Sequence, residues 1–177
     1  MRHRWADVIL KPHLRQATDV KRNCMSTPST SQQKTSDDIK EYGWHVIKVL
    51  ENDDEPGFGY SIGFYKTFSH PEILIVGLKL DLIHSLINNI GEEIKKGKTF
   101  NSQTFYDDVL DGYNCYFASV DKRFYDQFVG QAQGFYNSNE FPLLQCIYPT
   151  VKGIYPWEAN WPENIKNLQP ILCTINL

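Results

Sequence analysis

The sequence predicts an α+β fold: one domain over residues 38–177, with a largely antiparallel sheet and an amphipathic helix packed on one face. Three observations lead there. Short β-branched and aromatic runs recur between Trp44 and Tyr148, separated by turn residues. A single stretch, Leu82 to Ile94, steps its aliphatic residues by three and four. The C-terminal part is rich in Pro, Trp and Tyr and carries no third periodic segment.

Taken in order, Trp44 to Leu50 (WHVIKVL) has the composition of a strand, and ENDDEPG breaks it with the acids, Pro and Gly of a surface turn. Phe58 to Phe64 resumes as a hairpin partner, and Gly59 and Gly63 inside it signal a bulge or a close approach by another group. Pro71 forces His70 into an extended conformation, and Glu72 to Leu78 (EILIVGL) follows as a buried strand. Leu82, Ile83, Leu86, Ile87, Ile90 and Ile94 then form one helical stripe, with Asp81 as the expected cap and Gly97 as the stop. Residues 101–112 are expected to be a hydrophilic loop, Tyr116 to Val120 a strand, and the surroundings of Phe124, Tyr125 and Phe128 a shorter helix. Leu143 to Tyr148 is the last strand.

Residues 1–37 differ in kind. They hold seven Lys/Arg against three Asp/Glu, a net of +4, which leaves eleven against eighteen, a net of −7, for residues 38–177. The polar run after Met25 offers little apolar area to offset the entropy of ordering. Residues 1–37 are therefore expected to be a disordered or non-native extension, dispensable to the domain.

Composition bounds the function. Apolar and charged fractions of 41% and 22% are those of an ordinary globular protein. An acidic domain repels phosphate backbones, so no nucleic-acid partner is expected; Lys95, Lys96 and Lys98 are better placed as charges at a helix C-terminus. No apolar stretch approaches a membrane span. Cys24, Cys115, Cys146 and Cys173 are widely spaced, without a C-x-x-C, so reduced thiols and a cytoplasmic location are expected. His45, His70, His84 and Cys146 lack ligand spacing, and neither metal nor cofactor is expected.

Two dense segments carry the remaining signal: Gly57 to Leu78 (GFGYSIGFYKTFSHPEILIVGL) and Phe141 to Glu158 (FPLLQCIYPTVKGIYPWE). With the helix ending in KKGKTF and the later QPIL, they resemble the bacterial "domain of unknown function 4262" family, in the same motif order, from about Gly43 to Leu172. The corresponding residues are Ser61 before Ile-Gly, then His70-Pro71-Glu72, Leu144-Gln145, Pro149, and Tyr155-Pro156-Trp157-Glu158. Thr150 and Val151 depart from the acid that relatives often carry after the Pro turn. The resemblance implies a small intracellular bacterial protein and no established reaction.

The candidate binding residues are Tyr60, Ser61, His70, Glu72, Gln145, Trp157 and Glu158. His70, held by Pro71, suits a general base, a ligand contact or an imidazole bonded to a loop carbonyl. Glu72 opens a buried strand, where an unpaired carboxylate is costly, so a partner in His45, Lys66 or a backbone turn is expected. Gly59-Tyr60-Ser61-Ile62-Gly63 matches G-x-S-x-G by letter, but Ser61 sits within a strand and lacks the strand-to-helix context of a nucleophile elbow. Trp157 and Glu158 suit either a recognition platform or a lid on the core. The two segments are expected to meet so that His70 and Trp157 border one solvent-open concavity. The leading expectation is a module that binds a protein partner through an acidic, aromatic surface, toxin neutralisation being one concrete version. The alternatives are a hydrolase or a small-molecule sensor with a pocket around His70.

Overall fold

In a computed structural model, which describes residues 29–175, a six-stranded sheet runs through the molecule in the order β1-β2-β3-β6-β5-β4. Strands β1 (His45–Val49) and β2 (Phe58–Ile62) form the expected hairpin, with His45 opposite Ile62 and Val49 opposite Phe58. Strand β3 (Glu72–Val76) pairs antiparallel with β2 and parallel with β6 (Leu143–Ile147), Glu72 facing Leu143. β5 (Tyr113–Ser119) lies antiparallel between β6 and β4 (Thr104–Leu110). Every pairing but β3–β6 is antiparallel. β2, β3 and β6 are buried along their whole length, which is why they read as continuous apolar runs and not as alternations.

The amphipathic helix α3 (Leu80–Lys95) lies across one face. Its Ile83, Leu86, Ile87, Ile90 and Ile94 pack with Ile73, Ile75, Phe117, Leu144 and Cys146 in one cluster. Its first residue is preceded by Lys79, and no side chain caps it; Asp81 sits inside the first turn as a favourable charge instead of serving as the cap. Gly59 faces this helix: a Cβ there would lie 2.7 Å from Ile83 and 2.9 Å from the Ile47 carbonyl oxygen, so the glycine lets helix and sheet approach.

The opposite face is covered twice. Short helices α4 (Tyr125–Phe128) and α5 (Gly130–Tyr136) lay Phe128, Val129 and Ala132 over Tyr60, Leu74, Val76 and Leu143. Beyond them the C-terminal segment packs Trp157, Ile171, Cys173 and Ile175 on Tyr116, Ala118 and Ile147.

Three expectations are corrected. The boundary placed at residue 37 falls inside a helix, α1 (Thr30–Tyr42). Ser29 and Gln32 form a reciprocal capping box, Ser29 Oγ accepting from the Gln32 N–H at 3.3 Å and Gln32 Oε1 from the Ser29 N–H at 2.9 Å. Buried Thr35 and Ile39 dock the polar run, and Gly43 (φ 104°) ends it. The remainder of the expected extension, residues 1–28, lies outside the described residues. The hydrophilic loop expected over residues 101–112 contains the edge strand β4; its exposed acids, Asp107 and Asp108, sit in a register shift between Tyr106 and Leu110, on either side of which the strand pairs with β5. The strand expected to run through Phe64 stops at Ile62, where Gly63 (φ 120°) turns the chain into the short helix α2 (Phe64–Phe68).

Candidate functional site

At Gly63 the first signature segment closes on itself. The β2–β3 ladder ends at the pair Tyr60–Leu74. Past that point the strands part, and the Ser61 hydroxyl takes over the backbone's role, accepting the Ile73 N–H at 2.9 Å. The same hydroxyl donates to Glu72 Oε2 at 2.5 Å. Glu72 Oε1 accepts from the Gly63 N–H at 2.9 Å, the Tyr65 N–H at 3.1 Å and the Tyr136 hydroxyl. Thus one fully buried carboxylate ties together β2, α2, β3 and α5. Gly63 has a second reason to be glycine, since a Cβ there would lie 2.8 Å from the Gly43 carbonyl oxygen. Neither His45 nor Lys66 pairs with Glu72; the backbone-turn expectation holds, and Tyr136, 64 residues away in sequence, completes the set.

Burial pushes the Glu72 carboxyl above its ordinary value, and the bonds from Ser61, Tyr136, Tyr65 and Gly63 pull the other way. Burial, with the neighbouring Glu72, raises the Tyr136 hydroxyl. Tyr60 points into the α4–α5 side, where burial pushes it up to about 12.

His70 is fixed at both ring nitrogens. Nε2 accepts the Phe100 N–H at 2.9 Å, so Nδ1 carries the proton and donates to the Pro71 carbonyl at 2.7 Å. The ring stands edge-on to Phe64 and Phe100 and is 4% exposed; burial lowers its pKa. Ser61 therefore bonds Glu72 while His70 bonds backbone, and no Ser–His–Glu relay is assembled. A nucleophile reading fails on geometry, because the Ser61 hydroxyl is fully buried and both its donor and an acceptor position are engaged.

Gln145 anchors the tail: Nε2 donates to the Pro170 carbonyl at 2.7 Å and Oε1 accepts the Leu172 N–H at 3.0 Å. Gln169, which had not been singled out although it opens the QPIL motif, does the same in reverse. Its amide accepts the Tyr148 N–H at 3.0 Å and donates to the Tyr148 carbonyl at 2.9 Å, a two-point match to the backbone of one residue.

Trp157 and Glu158 belong to a different place. Trp157 packs on Tyr116 in the cluster of the opposite sheet face, whereas His70 sits among the rings on the α3 side. The shared concavity expected for His70 and Trp157 is not formed: the sheet lies between them. Parallel stacking joins Trp157 to Tyr155, with centroids 4.7 Å apart and planes 9° off. Tyr155 meets Phe105 at 5.7 Å and donates its hydroxyl to the Asn114 carbonyl at 2.7 Å. Glu158 is exposed and accepts the Tyr155 N–H at 2.5 Å, bracing the Pro156 turn. The result is a ridge of rings, Phe105–Tyr155–Trp157, alongside edge strand β4. Phe105 is 45% exposed. The acids beside it disguise the strand in the sequence, where the β-branched and aromatic run Thr104-Phe105-Tyr106 is the one local strand signal.

No group of three or more His, Cys, Asp or Glu side chains among the described residues could hold a metal ion. Among the same residues, no helix is long and apolar enough to cross a membrane. Fold and site together define an α+β protein with a mixed six-stranded sheet, a buried carboxylate junction and a half-exposed aromatic ridge. The chain belongs to the family described as "Domain of unknown function (DUF4262)", which it matches over residues 38–162. No curated protein and no solved structure matches it.

Proposed function

We propose that this protein is a cytoplasmic module that binds a protein partner, with the ridge Phe105–Tyr155–Trp157 as its recognition surface. The observation that carries the reading is the ridge itself: three rings, pre-ordered by stacking, lie beside a sheet edge. Rigid aromatics lose little entropy on binding and dominate interface energetics. β4 is one of the two edge strands of the sheet, and its unpaired side offers backbone groups to a partner strand. Asp107, Asp108 and Glu158 are exposed, and residues 38–177 carry a net of −7, which favours a basic partner surface. Toxin neutralisation in a bacterial cell is one form of such binding. The buried thiols support a reducing compartment: Cys115 and Cys146 are both free, and the hydrogen bond from Cys115, with burial, holds the Cys146 thiol well above its ordinary value.

The test uses the purified products of the adjacent genes. One of them should bind the wild-type chain and perturb the backbone NMR signals of residues 105 and 155–158. Phe105→Ser combined with Trp157→Ser should weaken that binding by at least about 30-fold, as expected for hot-spot rings. A partner whose footprint avoids the ridge, or neighbours that all fail to bind, would reject the reading.

A further inference from the structure

The other edge of the sheet lies at the bottom of a cleft. Strand β1 is that edge. A cleft of ≈ 530 Å³ runs along it, walled by α1 on one face of the sheet and α3 on the other. Both walls are tied to the strand. Asp38 Oδ2 of α1 lies 2.6 Å from His45 Nδ1, and the Trp44 indole N–H donates to Asn88 Oδ1 of α3 at 2.9 Å. Gly91 lets α3 seat directly on the Trp44 ring, since a Cβ there would be 2.6 Å from it. The cleft is therefore built in by the fold.

Hairpin register shows which backbone groups face this cleft. Ile47 pairs with Tyr60, and a Cβ on the neighbouring Gly59 would lie 2.9 Å from the Ile47 carbonyl oxygen, so that carbonyl is directed at β2. An antiparallel ladder alternates, which turns the N–H and C=O groups of Val46 and Lys48 to the open side. Both residues border the cleft, and among the described residues no hydrogen bond reaches either backbone from that side. Two donors and two acceptors, repeating every second residue, are what an added strand uses.

Charge sets the direction. Helix α3 runs back along β1, since Asp81 lies 3.4 Å from Lys48 and Asn88 meets Trp44. Helix α1 does the same: Tyr42 adjoins Trp44, Asp38 meets His45, and Lys34 lies one turn earlier, toward Lys48. One end of the cleft thus carries two lysines. Lys34 has no ion pair among the described residues, and the partner of Lys48 is an Asp81 that is 99% exposed. Glu92 lines the other end, but Lys96 is close enough to interact with that carboxylate, and Lys95 lies 6.0 Å from the Trp44 ring. That end does not favour a terminal ammonium, so a bound chain continues outward there. From Trp44 to Lys48 the strand advances about 13 Å, the length of about four extended residues.

We propose that this cleft docks the C-terminal tail of a partner protein, about four residues long, as an added strand parallel to β1. The tail's backbone pairs with Val46 and Lys48, and its free carboxylate meets the Lys34 and Lys48 ammonium groups. This site is independent of the aromatic ridge, which lies along the opposite edge of the sheet.

The test uses the full chain and a library of randomised pentapeptides, immobilised either by the N-terminus, which leaves the carboxylate free, or by the C-terminus. Binders should come from the free-carboxylate library. For the tightest of them, resynthesised with an acetylated N-terminus, amidating the carboxylate should weaken binding at least about tenfold, as expected for hydrogen bonds to charged groups. Lys34→Ala combined with Lys48→Ala should weaken the acid by a similar factor and leave the amide unchanged. Both lysines are exposed, so thermal melts of this variant should match wild type. N-methylation scanned along the peptide should weaken binding at alternate residues, because every second N–H faces β1. Bound peptide should slow amide hydrogen exchange at Val46 and Lys48. The ridge variant Phe105→Ser with Trp157→Ser should bind the peptide as wild type does. No binder from the free-carboxylate library, amides that bind as tightly as acids, or an N-methylation scan without alternation would each overturn the proposal.

Discussion

The two signature segments use similar residue types to opposite ends. In the first, Ser61, Glu72 and His70 are buried and every polar atom is spent on the fold: a carboxylate gathers four donors and an imidazole bridges two backbone groups. In the second, Tyr155 and Trp157 join Phe105 in a ridge that is only partly covered, held by ring packing, by the Tyr155 hydroxyl on the Asn114 carbonyl and by the Glu158 carboxylate on the Tyr155 N–H. Residues that look chemically capable in a sequence do different work depending on whether water reaches them. A buried polar group is retained because its absence would leave partners unpaired, whereas an exposed ring is available to something outside the chain.

The largest effect expected from this contrast is at Glu72. Glu72→Ala strips an acceptor from two backbone N–H groups and two hydroxyls in a dry site, and each orphan costs about 1–3 kcal/mol. The variant should lose at least about 4 kcal/mol, while Tyr136→Phe, which removes one bond to the carboxylate, should lose about 1.5–3 kcal/mol. Urea unfolding measures both. A Glu72→Ala protein with wild-type stability would dissolve the distinction between the two segments, since the first would then be no more structural than the second.

A middle-sized effect sharpens the comparison through pH. Burial, partly offset by the Pro71 carbonyl, depresses the pKa of His70 below 6.5. The unfolded chain then takes up this proton first, so the stability contributed by neutral His70 is complete above the ordinary value and is lost as pH falls through the lower folded value. Glu72 runs in the opposite sense. Its raised folded pKa means that its contribution is complete below the ordinary value of 4.5 and is lost as pH rises through the folded one. The stability difference between wild type and His70→Gln should shrink between about pH 8 and pH 5, as pH falls below 6.5. A difference that stays constant across that range would show that His70 does not change charge there.

The smallest effect on stability belongs to the ridge. Phe105→Ser should lower unfolding free energy by about 1 kcal/mol or less, the range of a cross-strand pair at a half-exposed edge position such as Phe105–Tyr116. Thermal melts of this variant set beside those of Tyr136→Phe would separate the two regions most directly. A loss as large as at Tyr136 would make the ridge a part of the core and remove the basis for partner binding there.

Much of the molecule was legible from residue order. The aliphatic stripe of α3 specifies its own burial, and Pro and Gly mark where the strands end. Gly59 and Gly63 announced close approaches, which Ile83 and the Gly43 carbonyl then supplied. Two of the three corrected segments, α1 and β4, are polar stretches whose order comes from a few contacts. Ser29–Gln32 capping with Thr35 and Ile39 docking makes the one, and pairing with β5 makes the other. Composition averages over such contacts and so misses them.

What the sequence by itself determined is the class of fold, the family resemblance and the identity of the residues with chemical potential, because periodicity and turn chemistry act over a few neighbouring positions. What only the tertiary structure decided is which of those residues are accessible and which are paired. Glu72 finds Tyr136 across 64 residues and Trp44 finds Asn88 across 44, and a sheet separates His70 from Trp157. The physical reason is that hydrogen bonding and burial depend on distance in space, and chain packing sets those distances at ranges no local pattern encodes.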